Sequence, residues 1–412
     1  MSKKLVQINV VCNGSTGRIM EQIQKAAEEH GYEAYSFYGR GKPSNDKCFK
    51  IGNKFDVLWN VFLTRVFDKH GYGSKRATKK LVKEIKKIDP DVIQLHNLHG
   101  YYLNLDILFK YLKTCNKKIF WTLHDCWAFT GHCSYFTYPE CEQWKTGCKN
   151  CIRRNDYPTS LGLDNSEKNF KHKKELFTGI KNLELITPSK WIKNLVEQSF
   201  LKEYSVTVIN NGIDLEKFKP TNTINIYEKN NIPKDKKIIL GVAATWERRK
   251  GLDDFIKLSK ILDNNYIVVL VGLNEKQTKN LPKNVIGIKR TESIEELANI
   301  YTNAAVFINF TYEDNFPTTN LEALACGTPV ITYNTGGSPE SINSTSGIVL
   351  NNPRPEEVLN YLKEVEKYKG QACIKQAQKY NGVVKYLEYI KKYEELEWKY
   401  YIYHQLVIKI KK

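Results

Sequence analysis

Residues 304–334 read AAVFINFTYEDNFPTTNLEALACGTPVITYN. An apolar run, AAVFINF, stops at a loop that carries two acids, Glu313 and Asp314. A helical pattern, TTNLEALACG, follows. Gly327 and Pro329 end it before a second apolar run, TPVITYN. Two short β-rich runs joined by a helix are the pattern of a βαβ unit with parallel strands. In open sheets of this kind ligands sit beyond the carboxyl ends of the strands, against helix N-termini. The acids lie in that loop, and Glu322 falls within the helix. Carboxylates there suit the hydroxyls of a sugar or ribose, because each oxygen accepts hydrogen bonds. Free N–H groups at the helix start suit phosphate. The spacing fits equally well two acids that complement the helix dipole and a surface Glu322.

The same alternation extends both ways. Upstream of 304 come KKIILGVAAT, NNYIVVLVG and NVIGIKR, with GLDDFIKLSKIL and SIEELANIYTNA as helices between strands. The first half opens with KLVQINVVC, the glycine loop NGSTGRI and the helical MEQIQKAAEEHGY. EAYSFYGRG, DPDVIQLHN, KKIFWTLHD and NLELITPS continue as strands, and two of these end in a polar turn that begins with His. The expected class is α/β, with two doubly wound, Rossmann-like parallel-sheet domains. The expected boundaries are 1–203 and 204–380, with YSVTVINNGID opening the second domain. A helical tail over 381–412 either packs back on the first domain or touches a membrane through its Tyr, Trp and Lys side chains. Neither half carries a Walker phosphate loop or a full dinucleotide fingerprint.

The chain has 412 residues, 63 Lys and Arg against 45 Asp and Glu, and a formal net charge of +18. That excess fits either an anionic partner or a solvated basic surface. No helix-turn-helix, RNP motif or zinc-finger helix accompanies it, and the basic residues are dispersed, which argues against nucleic acid. No apolar run reaches the ~18 residues of a membrane-spanning helix. Gln7 and Asn9 interrupt the first apolar stretch, so it reads as a buried strand rather than a signal peptide, and the expected location is the cytoplasm.

Three further stretches carry chemistry. TWERRKGLDDF places Arg248, Arg249 and Lys250 after a strand and before Gly251 and a helix, where a basic cluster suits a diphosphate. Five of the ten cysteines lie between Cys126 and Cys151. Of these, Cys133, Cys141, Cys148 and Cys151 have a spacing that ends in C-x-x-C and predicts a closed structural zinc site. Two disulfides or free buried thiols are the alternatives, and His132 is another ligand candidate. DVLWNVFLTRVF, residues 56–67, lines Trp59, Phe62, Leu63, Val66 and Phe67 along one side of a helix. A core-facing helix is the favoured reading, with an anionic membrane as the other partner.

GSTGRI, TLHDCW, TPSKW, INNGID, RRKGLDDF and EDNFPTTNLEALACGTPVITYNTGGSPE, in this order, resemble the retaining family 4 glycosyltransferases of the GT-B fold. The likeness runs from about residue 8 to 345 and is nearest to bacterial enzymes of capsule, O-antigen and exopolysaccharide assembly. It implies two Rossmann-like domains facing a cleft, a nucleotide-sugar donor on the C-terminal domain and a glycan or undecaprenyl-type lipid-linked acceptor on the N-terminal one. It implies that Arg248 or Arg249 and Lys250 hold the diphosphate, that Glu322 binds the ribose, and that the run Glu313, Asp314, Asn315, Phe316 meets the donor sugar. His124 would contact the sugar near the reacting carbon, and Gly14 and Gly17 would border the donor phosphate. Retention of configuration, with no cofactor for the chemistry, follows from the same likeness, as does work at the inner face of the plasma membrane. Two positions depart from the family pattern. Asp314 stands where a Glu is usual, and Ala244 stands where a phosphate-binding Arg is usual. A sugar-nucleotide epimerase on the same fold is the alternative reading.

Overall fold

The computed structural model describes residues 2–43 and 45–395. The chain divides into two compact units. One holds residues up to Asn210 together with the described residues from Val383 onward, and the other holds Asn211–Gly382.

The first unit is built on strands β1 (Lys3–Val11), β2 (Tyr32–Arg40), β3 (Cys48–Lys50), β4 (Val92–Leu95), β5 (Lys118–Thr122), β6 (Leu183–Thr187) and β7 (Val206–Val208). They form one parallel sheet in the order β3-β2-β1-β4-β5-β6-β7. The central strands are buried on both faces, as a helix-covered parallel sheet requires. The strand order reverses between β1 and β4, so the loops after β1, β4 and β5 are neighbours at one edge of the sheet. Three helices matter below: α1 (Gly14–Glu29), α2 (Lys54–Phe67) and α3 (Lys75–Ile88).

β7 is a difference from the sequence reading, which gave YSVTV to the second domain. It pairs with β6 through Leu185 and Val206, so the chain passes to the second unit at Asn210–Asn211. A three-residue strand records nothing about which sheet edge it joins.

Residues 382–395 are helical. Tyr386, Tyr389, Ile390 and Tyr393 bury themselves in one cluster with Leu5, Ile19, Ile23 and Phe120. Burial of each such side chain stabilises by roughly 1.5–3 kcal/mol. The hydroxyl of Tyr393 donates to Gln94 Oε1 at 2.9 Å, and Gln94 Nε2 donates to Thr122 Oγ1 at 3.0 Å. Tyr393→Phe should therefore cost about 1–2 kcal/mol, since it strands a buried acceptor while it leaves the packing intact. Urea denaturation measures it, and an unchanged midpoint would contradict the stated role of this bond. The rest of the tail, LEWKYYIYHQLVIKIKK over 396–412, lies outside the described residues.

The second unit holds β8 (Lys237–Val242), β9 (Tyr266–Val271), β10 (Val285–Ile288), β11 (Ala304–Asn309), β12 (Val330–Tyr333) and β13 (Gly347–Leu350). The order is β10-β9-β8-β11-β12-β13, again all parallel. Here the reversal falls between β8 and β11. The loops that follow these two strands carry Arg248–Lys250 and Glu313–Pro317, and topology alone makes them adjacent. No helix among the described residues is long and apolar enough to cross a membrane.

Candidate functional site

In the second unit, β8 ends in a loop that turns through Arg248–Lys250 into the helix Leu252–Ile261. Gly251 makes that entry at φ +73°, and a Cβ there would stand 2.4 Å from the carbonyl oxygen of Phe310. The two ligand-side loops can close on each other because this position has no side chain. Tyr312 N donates to Arg249 O at 2.8 Å, and Arg249 Nη1 donates to Glu313 O at 3.0 Å. Lys250 forms an ion pair with Asp314. Burial opposes the charge on Asp314, but the Lys250 ammonium and the Arg249 guanidinium outweigh it and hold the carboxyl below its ordinary range. Glu313 is fully buried at the same loop.

The acid loop is held from behind. Asn309, at the end of β11, donates to Asn320 Oδ1 at 2.8 Å, and Asn320 Nδ2 donates to Ser341 Oγ at 2.9 Å. Gly337 N donates to Asp314 O at 3.0 Å. Asn315 and Phe316 are buried, and Phe316 packs on Tyr380 with ring centroids 5.4 Å apart. Glu322, in the helix Thr318–Ala325, is also buried and accepts from Tyr301 Oη at 3.1 Å. The structure thus brings Arg249, Lys250, Glu313 and Asp314 together. Asn315, Phe316 and Glu322 stand in the same loop and the helix that follows it. Arg248 is the exposed member of its triplet, whereas Arg249 is partly buried.

In the first unit, Gly14 begins α1 at φ +75°, with nothing within 4 Å of where a Cβ would stand. Gly17 is different, because a Cβ there would lie 2.6 Å from the carbonyl carbon of Cys12. The loop therefore folds tightly onto β1 and leaves its tip open to solvent. His124 follows β5, and its Nε2 donates to Nδ1 of His96 at 3.1 Å. His96 Nε2 in turn donates to Gln7 Oε1 at 3.3 Å. This chain of donors assigns the tautomers of both rings. Burial lowers His124 to about 4, so its imidazole is neutral at physiological pH.

Several residues here were not singled out in the sequence. His99 Nε2 donates to Asp125 Oδ2 at 2.8 Å, and His99 Nδ1 accepts from Tyr157 Oη at 3.0 Å. Burial opposes charge on Asp125, and His99 more than offsets it, so the carboxyl sits low. Lys173 is buried, donates to the carbonyls of Trp127 at 2.7 Å and Thr130 at 3.0 Å, and lies 3.5 Å over the Trp127 ring. His96 had a local signal, since QLHN and TLHD end their strands in the same way. Tyr157 and Lys173 had none, because they reach His99 and Trp127 from beyond the cysteine-rich segment, Lys173 on the helix Ser166–Phe177.

The expected zinc ligands Cys133, Cys141, Cys148 and Cys151 lie near one another, with Cys148 close enough to both Cys151 and Cys141 to feel their charge. Among the described residues no group of three or more His, Cys, Asp or Glu side chains is arranged to hold a metal ion, and none of the ten cysteines is joined in a disulfide. The thiols make local contacts. Cys133 shares a hydrogen bond with Cys151, which raises the former and lowers the latter. Cys148 Sγ accepts from Gly131 N at 3.2 Å. His132, the other candidate ligand, is buried and pairs through Nδ1 with Asp68 Oδ1 at 2.6 Å. The segment gains its order from buried aromatics. Phe136 stacks on Trp144 at 4.7 Å, and Phe129 meets Trp144 at 5.6 Å.

Comparisons with known proteins bear on the family and the fold. Residues 16–217 match the model for Glycosyltransferase Family 4, and residues 222–380 match that for Glycosyl transferases group 1. A glycosyl transferase named for colanic acid biosynthesis, WcaC of Escherichia coli K12, is 28% identical over 51% of this chain and 55% of its own length. The capsular polysaccharide biosynthesis glycosyltransferase CapM of Staphylococcus aureus is 26% identical over 40% of this chain and 48% of its own. The chain thus spans about half the length of the curated relatives it matches. Among solved structures, sucrose-phosphate synthase from Thermosynechococcus elongatus superposes with a TM-score of 0.69 at 18% identity, over 96% of this chain and 99% of that one. HepE from Anabaena, in complex with UDP, gives 0.65 at 13% identity over 96% and 100%. The chain belongs to the family 4 glycosyltransferases and has their GT-B architecture of two Rossmann-like domains.

Proposed function

We propose that the protein moves a sugar from a nucleotide-sugar donor to a glycan or undecaprenyl-type lipid-linked acceptor, with retention of configuration, in bacterial surface-polysaccharide assembly at the cytoplasmic face of the membrane. One observation carries this reading. At the strand-order reversal of the second unit, Arg249 and Lys250 face Glu313 and Asp314 across two adjacent loops. Such a pairing of cations and carboxylates meets the two halves of a nucleotide sugar, its diphosphate and its hydroxyls.

In this reading Lys250 and Arg249 neutralise the leaving diphosphate, and the better-anchored Arg249 is preferred to Arg248. Asp314 orients the sugar hydroxyls, and Glu322 accepts from the ribose. The bond from the anomeric carbon to the phosphate oxygen breaks, and a bond to the acceptor oxygen forms on the same face. The acceptor proton leaves with the diphosphate. His124, neutral through burial, offers the sugar a hydrogen-bonding group without placing a second cation beside an oxocarbenium-like transition state. The rest of the rate comes from positioning.

The test follows slow hydrolysis of a panel of UDP-, GDP- and ADP-sugars by NMR. One donor class should release its sugar first as the retained anomer, and Glu322→Ala should slow this at least ~tenfold. Release of the inverted anomer first would overturn the stereochemical assignment. Hydrolysis unchanged in Glu322→Ala would overturn the ribose contact.

A further inference from the structure

Helix α2 is inverted. The sequence favoured an apolar side packed on the core, yet its fully buried side chains are polar, with Asn60 and Thr64 both 0% exposed. Asn60 Oδ1 accepts from Gly73 N at 3.1 Å, and Thr64 Oγ1 donates to Asn60 O at 2.7 Å. The apolar side faces outward, with Phe55 80%, Leu58 62%, Trp59 54% and Phe62 46% exposed, and Val66 and Phe67 continue the stripe. Trp59 stacks on Phe62 at 5.5 Å, and Phe62 meets Phe67 edge-on at 5.9 Å, so the rings form a ridge. Residues 161–163 extend it. Leu161 N donates to Arg65 O at 2.8 Å, Leu163 N donates to Val66 O at 3.0 Å, and both leucines are exposed. Single exposed apolar residues are ordinary, but a contiguous stripe of large ones marks a contact surface.

The charges beside the ridge have one sign. Lys54, Arg65 and Lys69 are exposed along it. The nearby acids are engaged, since Asp56 caps the helix by accepting from Asn53 N at 3.0 Å and Asp68 is buried. Helix α3 starts against α2, where the Asn60 amide bonds the Ser74 hydroxyl. From Lys75 to Lys87 every exposed residue of α3 is Lys or Arg, and its one acid, Glu84, is half-buried. Under α3 lies a cavity of about 540 Å³ with Phe37, Phe49 and Leu81 in its lining and Lys50, Lys80 and Lys87 around them.

We propose that the α2–α3 face of the first unit docks on an anionic lipid bilayer. The aromatic ridge enters the boundary between headgroups and acyl chains, and the lysines of α3 hold lipid phosphates. Charge complementarity selects this occupant over a second copy of the chain. A two-fold pairing would set the same basic surface against itself, in a molecule whose net charge is already +18. The proposal rests on the reading of a membrane-borne acceptor for its purpose, while its geometry stands independently.

The test is flotation of the full chain with phosphatidylcholine vesicles that contain or lack phosphatidylglycerol. The wild type should float only with phosphatidylglycerol, and high salt should release it. The triple variant Phe55→Ser, Trp59→Ser, Phe62→Ser should partition at least ~tenfold less, and so should Lys79→Glu, Lys80→Glu, Lys83→Glu. Both variants alter exposed side chains and should keep the wild-type melting temperature and the wild-type response to nucleoside diphosphates. A lost lipid contact is thereby separated from misfolding and from failure of the transferase reading. Indifference of the wild type to phosphatidylglycerol would overturn the proposal. Undiminished flotation of the aromatic variant would do the same. So would a dimer in light scattering that the aromatic variant dissolves, since it would assign the ridge to a second copy.

Discussion

Lys250→Ala should lower kcat/KM by about 10²–10³-fold, a loss of roughly 3–4 kcal/mol in transition-state stabilisation. In the proposed function Lys250 stands where charge develops on the leaving diphosphate, and its loop is held by Tyr312 and closed against Phe310 through Gly251. A fixed ammonium there needs no reorganisation during the reaction, which is why its removal costs more than a surface ion pair would. The same substitution leaves the buried Asp314 with Arg249 as its remaining named cation, so the Asp314 carboxyl rises toward its ordinary range. Steady-state kinetics on the donor identified by hydrolysis provide the measurement, with a denaturation midpoint to separate loss of fold from loss of rate. A kcat/KM within threefold of wild type would remove Lys250 from the diphosphate site.

The second large effect is on stability against pH. His124 has a folded pKa of about 4 because burial disfavours its charged form. An unfolded histidine titrates near ~6.5. Between these values the unfolded chain binds a proton that the folded chain does not. The contribution is therefore fully present above pH ~6.5 and is lost as pH falls toward 4. A shift of this size corresponds to roughly 2–3 kcal/mol, with a discount for the part of the ring that meets solvent. His96, fully buried beside it, is lowered for the same reason and adds loss of the same sign. Urea denaturation at pH 7 and pH 4.5 should show the wild type losing more stability than His124→Asn, which has no ring to protonate. Equal losses in the two proteins would contradict the burial of a neutral imidazole at this position.

Much of the site was legible because parallel sheets write a plain code. Continuous apolar runs gave the strands, and the glycine and acid loops between them fell at strand ends, where topology gathers function. The meeting of Lys250 with Asp314 could be anticipated only in outline. It depends on β8 and β11 lying side by side, a fact of strand order that the intervening residues do not record. The choice between Arg248 and Arg249 rests on one side chain reaching the Glu313 carbonyl. The misreading of α2 has a physical cause as well. Aromatics at helical spacing usually face a core, and α2 defeats that rule because Asn60 and Thr64 find buried partners around Gly73 and His70. Tyr157 reaches His99 from 58 residues away, and no local pattern predicts such a contact.

The central claim is that the second unit binds the nucleoside diphosphate of a sugar donor through Lys250 and Glu322. A thermal-shift titration with UDP, GDP and ADP tests it most directly. Ligand at about a hundredfold over its Kd adds roughly 2.7 kcal/mol of stability. One nucleotide should therefore raise Tm by several degrees, and Lys250→Ala and Glu322→Ala should each abolish most of the rise. A folded wild type that responds to none of the three, or variants that respond as fully as wild type, would contradict it.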